Sequence, residues 1–296
     1  MYYQLGPAST DSEKVIFEVE PGPFKNTTQK LYDQGFVRDE LVFHIYARLF
    51  RLDQKIKTGE FELSRNMSAR QILNTLVSGK NYQRQFVIQE GLNIFEIAEN
   101  LEAKKITTAK AFLDYVRNPQ VVKKLIGIDA PSLEGYLYPD TYDYTKNIRI
   151  DKLVSMMVDH LIKVVQNVAP QLNEDKKLRH KMITMASIVE KETGAPEERP
   201  IIASVFYNRL RKNMRLQSDP TIIYGLEVQR GEIVKNIHKS DILSKTPYNT
   251  YVINALPVAP ISNPGQEAIS AVMKPEKTEY LYFVSMNEGR HYFSRT

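Results

Sequence analysis

The sequence predicts an α+β protein, with a small βααβ unit at the N-terminus followed by a larger mixed α+β domain, and three observations carry that prediction. Two stretches with strand-like alternation, residues 15–19 and 59–64, bracket two amphipathic stretches. Three long runs with helical periodicity follow at residues 151–166, 176–193 and 197–212. The pattern then returns to strand-like at residues 249–253 and 280–285.

Taken in order, Pro21, Gly22 and Pro23 turn the chain out of the first strand, and Gly35 ends the amphipathic stretch over residues 28–34. A second helix over residues 39–52 sets Leu41, Ile45, Leu49 and Leu52 on one face. Pairing of the two strands, with both helices on one side, makes one small layer. Two further helix starts are legible because Ser68 with Gln71, and Asn93 with Glu96, have the spacing that lets side chains satisfy the first free backbone amides. Ile72, Leu73, Leu76 and Val77 follow the first and stop at Gly79; Ile97, Ala98 and Leu101 follow the second. Residues 85–89 read as a strand, and the domain boundary is placed near residue 84, giving domains 1–84 and 85–296. Pro257, Pro260 and Pro264 make the segment between the last two strands a stiff, irregular loop of the kind that lines sites.

Composition narrows the function classes. With 296 residues and 42% apolar content the chain can fill a sizeable core. Its 40 basic residues exceed the 35 acidic ones by five, and they are scattered, so no nucleic-acid footprint is present while an anionic polymer stays open as a partner. No cysteine is present, which removes thiol nucleophiles and disulfides. The five histidines stand far apart, so neither a metal nor any other cofactor is expected. No run of about 18 apolar residues exists to span a bilayer, and the start carries no signal-peptide pattern.

One carboxylate stands out. In the helix over residues 176–193, Leu178, Met182, Met185 and Val189 fall on one apolar stripe, and Glu192 lands on it too. Glu190 lies about 160° around the helix from Glu192, so only one of the pair can face a cleft. Glu192 occupies the last turn, where the helix dipole and apolar neighbours both disfavour ionisation, so its pKa is expected to be raised. A carboxyl that stays protonated is what a glycosidase needs in order to hand a proton to a leaving oxygen. By pattern alone, the Glu-Lys-Glu run reads first as a charged helix end.

Longer segments decide between the two. LEGYLYPDTY at 133–142, MASIVEKET at 185–193, SVFYNRL at 204–210, MRLQSDPT at 214–221 and YNTY at 248–251, followed by LP at 256–257, ISNPG at 261–265 and YLYF at 280–283, together resemble the MltG (YceG-like) endolytic murein transglycosylase family. The resemblance covers nearly the whole chain. It implies a LysM-like N-terminal domain, a catalytic α+β domain and Glu192 as the catalytic residue, with Thr193 as a hydroxyl that helps hold the acid. It also implies a single N-terminal membrane anchor, missing from this chain, with the catalytic part on the periplasmic face of the cytoplasmic membrane. Residues Met1 to Leu5 are expected to follow such an anchor, and a short closing helix is expected after Thr296. The implied partners are peptidoglycan glycan strands and glycan-polymerising penicillin-binding proteins.

The implied reaction cuts the β-1,4 bond between N-acetylmuramic acid and N-acetylglucosamine without water. Glu192 protonates the glycosidic oxygen and then takes the proton of the muramoyl 6-hydroxyl as that oxygen closes on C1, leaving a 1,6-anhydro end. A saccharide groove also needs neutral donors, acceptors and aromatic faces, and Glu134, Tyr138, Asp140, Gln217, Ser218, Asp219, Tyr224, Asn249, Thr250, Tyr251 and Asn263 supply them. Each has a structural alternative as a cap, a turn or a core residue. Asp140 or Asp219 are the candidates for orienting Glu192. The rival readings are a non-catalytic peptidoglycan-binding or scaffold protein and a muramidase-type hydrolase of the same bond.

Overall fold

The computed structural model describes residues 2–286 and 290–296; Met1 and residues 287–289 lie outside the described residues. The chain separates into two compact units, one running to Phe86 and taking in Asp143–Ile148, the other made of Val87–Tyr142 and Arg149–Thr296.

The first unit contains α1 (Tyr2–Leu5), β1 (Lys14–Val19), α2 (Phe24–Asp33), α3 (Glu40–Leu49), β2 (Gly59–Ser64) and α4 (Ala69–Ser78). β1 and β2 run antiparallel from Lys14 opposite Ser64 to Val19 opposite Gly59, which sets Phe17 across from Phe61. Both rings are fully buried with Leu31, Phe36, Phe43 and Leu73. Here the sequence reading needs correcting. Leu41, Ile45 and Leu49 are exposed, and α3 turns Phe43 and Ala47 inward instead. Both sides of this helix are apolar, so periodicity could not choose between them; packing against the strands did.

The second unit begins within β3 (Arg84–Val87) and continues through α5 (Ile94–Ala103), α6 (Ala109–Val116), α7 (Pro119–Ile126), β4 (Thr141–Tyr144), α8 (Ile150–Val168), α9 (Lys176–Glu192), α10 (Arg199–Arg211), α11 (Asp219–Arg230), α12 (Gln266–Met273), β5 (Tyr282–Met286) and β6 (Arg290–Ser294). β3 pairs with β4, and the chain passes between the two units within these strands. α9 lies at the centre, in contact with α10, α11 and α12. Its residues 183–190 are buried on every side while Leu178 is exposed, so the single apolar stripe expected from periodicity is replaced by a helix wrapped all round. Both predicted capping boxes are present, at Ser68 with Gln71 and at Asn93 with Glu96. No helix among the described residues is long and apolar enough to cross a membrane.

Two further expectations fail. Residues 249–253 form a turn, not a strand, because the Asn249 amide donates to the Ile242 and Ser244 carbonyls while its oxygen accepts from the Tyr251 N–H. The segment expected to be loop between the last strands contains α12. Its proline-rich approach is fastened to α9: the Ile261 N–H donates to the Ser187 hydroxyl at 3.0 Å, and the Ser262 hydroxyl donates to the Ser187 carbonyl at 3.1 Å. Gly135, at φ +80°, lets the 133–142 segment close on this loop, since a Cβ there would stand 2.5 Å from the Pro260 side chain.

Candidate active site

α9 ends at Glu192 because Thr193 leaves the helical region, at φ −143° and ψ 137°. The two glutamates before that break have opposite fates. Glu190 is buried, accepts from Arg199 Nη2 at 2.8 Å and accepts from the Gly265 N–H at 3.0 Å. Arg199 also meets Glu267 at 2.9 Å and Glu90 at 3.7 Å, so Glu190 is committed to an ionic junction that ties α9, α10 and α12 together. Burial pushes the Glu190 carboxyl up, and the Gly265 N–H and Arg199 pull it back.

Glu192, half-buried, points about 160° away from Glu190 around the helix. The Ser218 hydroxyl donates to its Oε1. Ser218 stands at the N-cap of α11, where a serine hydroxyl ordinarily accepts from the first turn, but no such capping bond is made here. The hydroxyl is diverted to the carboxyl, and a threonine pair holds it there. The Ser218 N–H donates to Thr250 Oγ1 at 2.9 Å, the Thr221 hydroxyl donates to the Ser218 carbonyl at 2.6 Å, and the Thr250 N–H donates to Thr221 Oγ1 at 3.1 Å. Gln217, immediately before, is exposed and held at φ +50°, a left-handed backbone in a residue other than glycine, and strain of this kind collects at functional sites.

Charge around Glu192 is mixed. Burial is the largest influence and raises its pKa; Asp219 raises it further, while the Ser218 hydroxyl, His291 and Arg209 lower it. Asp219 is exposed and receives the Tyr251 hydroxyl at 2.5 Å. Arg209 is buried, anchored by donating to the Leu281 and Leu216 carbonyls, each at 2.6 Å. Thr193 does not hold Glu192: its hydroxyl donates to Glu198 Oε2 at 3.2 Å. That glutamate also accepts from the His291 backbone N–H at 2.8 Å and lies 2.7 Å from its Nδ1. The turn after Glu192 is thereby pinned to the start of β6.

The expected groove residues separate into three groups. Ser218 bonds Glu192, Asp219 accepts from Tyr251 beside it, and the fully buried Thr250 supports this end by bonding Ser218, Thr221 and the Gln217 N–H. Tyr138 and Asp140 form a second cluster with His160, the rings of Tyr138 and His160 4.6 Å apart and Asp140 3.2 Å from His160 Nδ1. Asp140 is therefore partnered by His160, whereas the charge of Asp219 raises the Glu192 carboxyl.

Glu134, Tyr224, Asn249 and Asn263 are the corrections, since each is buried and satisfied inside the fold. Glu134 accepts from the Ile94 N–H, the Gly135 N–H and the Asn263 amide, and burial raises it to about 8. Asn263 reaches Leu92, Glu134 and Leu137 at once, and the Tyr224 ring packs edge-on against Phe95 and Tyr248. These polar types look like sugar ligands in a sequence, but here they replace the backbone partners that irregular loops lack. Sequence reasoning missed Glu198, His291, Arg199 and Thr221 as neighbours of the two glutamates; Arg209 and Thr221 lie inside the quoted motifs, which was the only signal available.

A family model described as the YceG-like family matches residues 17–296. The chain is 31% identical to a protein named endolytic murein transglycosylase in Bacillus subtilis (strain 168), over 99% of this chain and 84% of that one. A second protein of that name, from Streptococcus pneumoniae serotype 2, is 29% identical over 88% of this chain, which spans about half, 52%, of its length. A crystal structure of a yceG-like protein from Listeria monocytogenes superimposes with a TM-score of 0.65 at 33% identity, covering 96% of this chain and 97% of that one. A match over 280 of 296 residues, joined to a 31% identical relative aligned over nearly the whole chain, shows that this chain belongs to the YceG-like family.

Proposed function

We propose that this chain is an endolytic lytic transglycosylase of peptidoglycan, with Glu192 as its one acid-base residue. The observation that carries the reading is a half-buried carboxyl, raised by burial, at the C-terminal end of one helix and beside the N-terminus of another. The end of α9 favours the neutral acid, whereas the start of α11 and the Ser218 hydroxyl favour the anion. A group balanced between two opposing ends can give a proton and take one back.

In the first half-reaction the Glu192 carboxyl protonates the glycosidic oxygen as the bond to C1 breaks. In the second, the muramoyl 6-hydroxyl attacks C1 and loses its proton to the Glu192 carboxylate, closing the 1,6-anhydro ring and restoring the acid. Water is not consumed. An intramolecular hydroxyl can act at an effective concentration of about 10⁵ M or more, which removes the need for a second carboxylate to hold water. In this reading Gln217 and Tyr251 meet sugar hydroxyls, and Asp219 tunes the acid. The polymer lies outside the cytoplasmic membrane, so in this reading the chain works there, beside the penicillin-binding proteins that extend the strands.

A hydrolase of the same bond is favoured by one observation, Asp219, an exposed second carboxylate that influences Glu192. Mass spectrometry of digested murein separates the readings: 1,6-anhydro ends support the transglycosylase, reducing ends one water heavier support the hydrolase, and no product leaves a binding protein. A pH profile tests the tuning. Activity needs the neutral acid at the first step, so kcat/KM falls as pH rises through the Glu192 pKa. Removing the donor in Ser218→Ala moves that basic limb to higher pH, and removing the charge in Asp219→Asn moves it to lower pH. Shifts in the same direction would contradict the assignment.

A further inference from the structure

A cavity of about 800 Å³ in the second unit lies away from Glu192, between the C-terminal end of α7, the first half of α9 and residues 254–258. Its size is that of a small-ligand site. The walls are mainly apolar, with Ile128, Leu210, Leu256 and Pro257, and three lysines, Lys123, Lys177 and Lys181, stand in the lining. Lys123 is paired with Asp129 at 3.1 Å, whereas neither Lys177 nor Lys181 makes an ion pair with any described residue.

The cavity is joined to the catalytic end of the unit in two ways. Lys181 and Glu192 belong to the same helix, eleven residues apart, or about 16 Å along its axis. The loop that forms the opposite wall begins at Tyr251, whose hydroxyl bonds Asp219, and Arg215 bridges that loop by donating to the Tyr251 carbonyl and to Asn254 Oδ1, each at 2.9 Å. A ligand filling the cavity is therefore held by the helix that carries the acid and by the loop whose Tyr251 bonds the charged neighbour of that acid.

An apolar pocket with uncompensated ammonium groups suits a chain of small aliphatic residues bearing carboxylates. We infer that this cavity receives the carboxylate-bearing peptide branch of the glycan strand, so that Lys177 and Lys181 read the substituent on a sugar near the one being cut. The inference rests on the transglycosylase reading for its substrate. The geometry supports it because a branch on a neighbouring sugar must reach a point displaced from the cleaved bond, and the cavity is displaced from Glu192 along α9.

Cleavage by the whole chain is compared on two polymers, peptide-bearing strands and strands stripped of peptide by an amidase. Lys177→Glu with Lys181→Glu is expected to lower the ratio of kcat/KM on peptide-bearing to bare strands about tenfold, which is about 1.4 kcal/mol. Ala255→Trp, at an exposed position in the cavity wall, is expected to lower the same ratio by obstruction, and added salt should weaken the lysine effect but not the obstruction. An unchanged ratio in both variants overturns the inference, as does an equal loss on both polymers. Binding of a free acidic pentapeptide is followed in parallel by NMR shifts of the α9 amides. If wild type cuts neither polymer, the transglycosylase reading fails by itself, and the cavity is then judged by the peptide alone: shifts at residues 177–184 that vanish in the lysine variant support it, and their absence overturns it. Peptide shifts with an unchanged cleavage ratio would assign the cavity to an acidic segment of another protein and overturn the inference.

Discussion

Glu192→Gln lowers kcat on murein by about 10²- to 10⁴-fold, the range expected for removing a general acid-base residue. The amide oxygen still accepts from the Ser218 hydroxyl, so the local fold and substrate affinity are retained, and the loss falls on kcat more than on KM. A thermal melt that stays within about 1 kcal/mol of wild type separates chemistry from folding. Retention of more than about a tenth of the wild-type rate would remove Glu192 from the mechanism, because no general acid contributes so little.

Arg199→Ala produces the largest loss of stability. It strips the cation from the buried Glu190 carboxylate and leaves, among the described residues, only the Gly265 N–H as its partner. Breaking a buried pair from one side costs about 3–5 kcal/mol, against at most about 1 kcal/mol for exposed pairs such as Lys110 with Asp114. For a unit of this size that corresponds to a drop of roughly 6–20 °C in Tm. The sign of the pH dependence follows from Glu190. Its folded pKa is already raised by burial, and losing Arg199 raises it further. A carboxyl with a raised folded pKa costs nothing below its unfolded pKa and loses stability as pH climbs through the folded value. The gap between variant and wild type should therefore narrow as pH falls toward the ordinary glutamate range, and a gap that widens on acidification would contradict the buried pairing. Glu190→Gln with Arg199→Met, which removes both charges while keeping bulk, should recover part of the loss.

The contrast between these two glutamates, two residues apart, shows what could be read in advance. That they face different environments follows from helix geometry alone. Which environment is which did not follow as expected: the stripe argument placed Glu192 among apolar side chains and left Glu190 outside, whereas Glu190 is the more deeply buried of the two. The reason is that residues 183–190 are enclosed on all sides, and in such a helix the hydrophobic pattern loses its direction. The same loss of direction misassigned α3, where Leu41, Ile45 and Leu49 face solvent.

Local signals proved dependable wherever a residue acts on its own neighbourhood. Ser68 with Gln71, Asn93 with Glu96 and the glycine stop at Gly79 lie where their backbone chemistry requires, because a cap needs only a few adjacent residues. Polar residues in irregular segments were read least well. Glu134, Asn249 and Asn263 carry groups that could bind a sugar, and their use as internal fasteners depends on partners as much as 171 residues away.

By itself, then, the sequence determined the α+β class, the long helices of the large unit, the cap at Asn93 and the singular position of Glu192 just before a helix break, since all of these are set by residues close along the chain. Only the tertiary structure decided that Ser218 gives up its capping role to hold that carboxyl, that Asp219 and Arg209 set opposing charges around it, and that Glu190 is spent on Arg199. Those outcomes depend on which surfaces exclude water together and on which distant donors then lack a partner, and neither is encoded in any local run of residues.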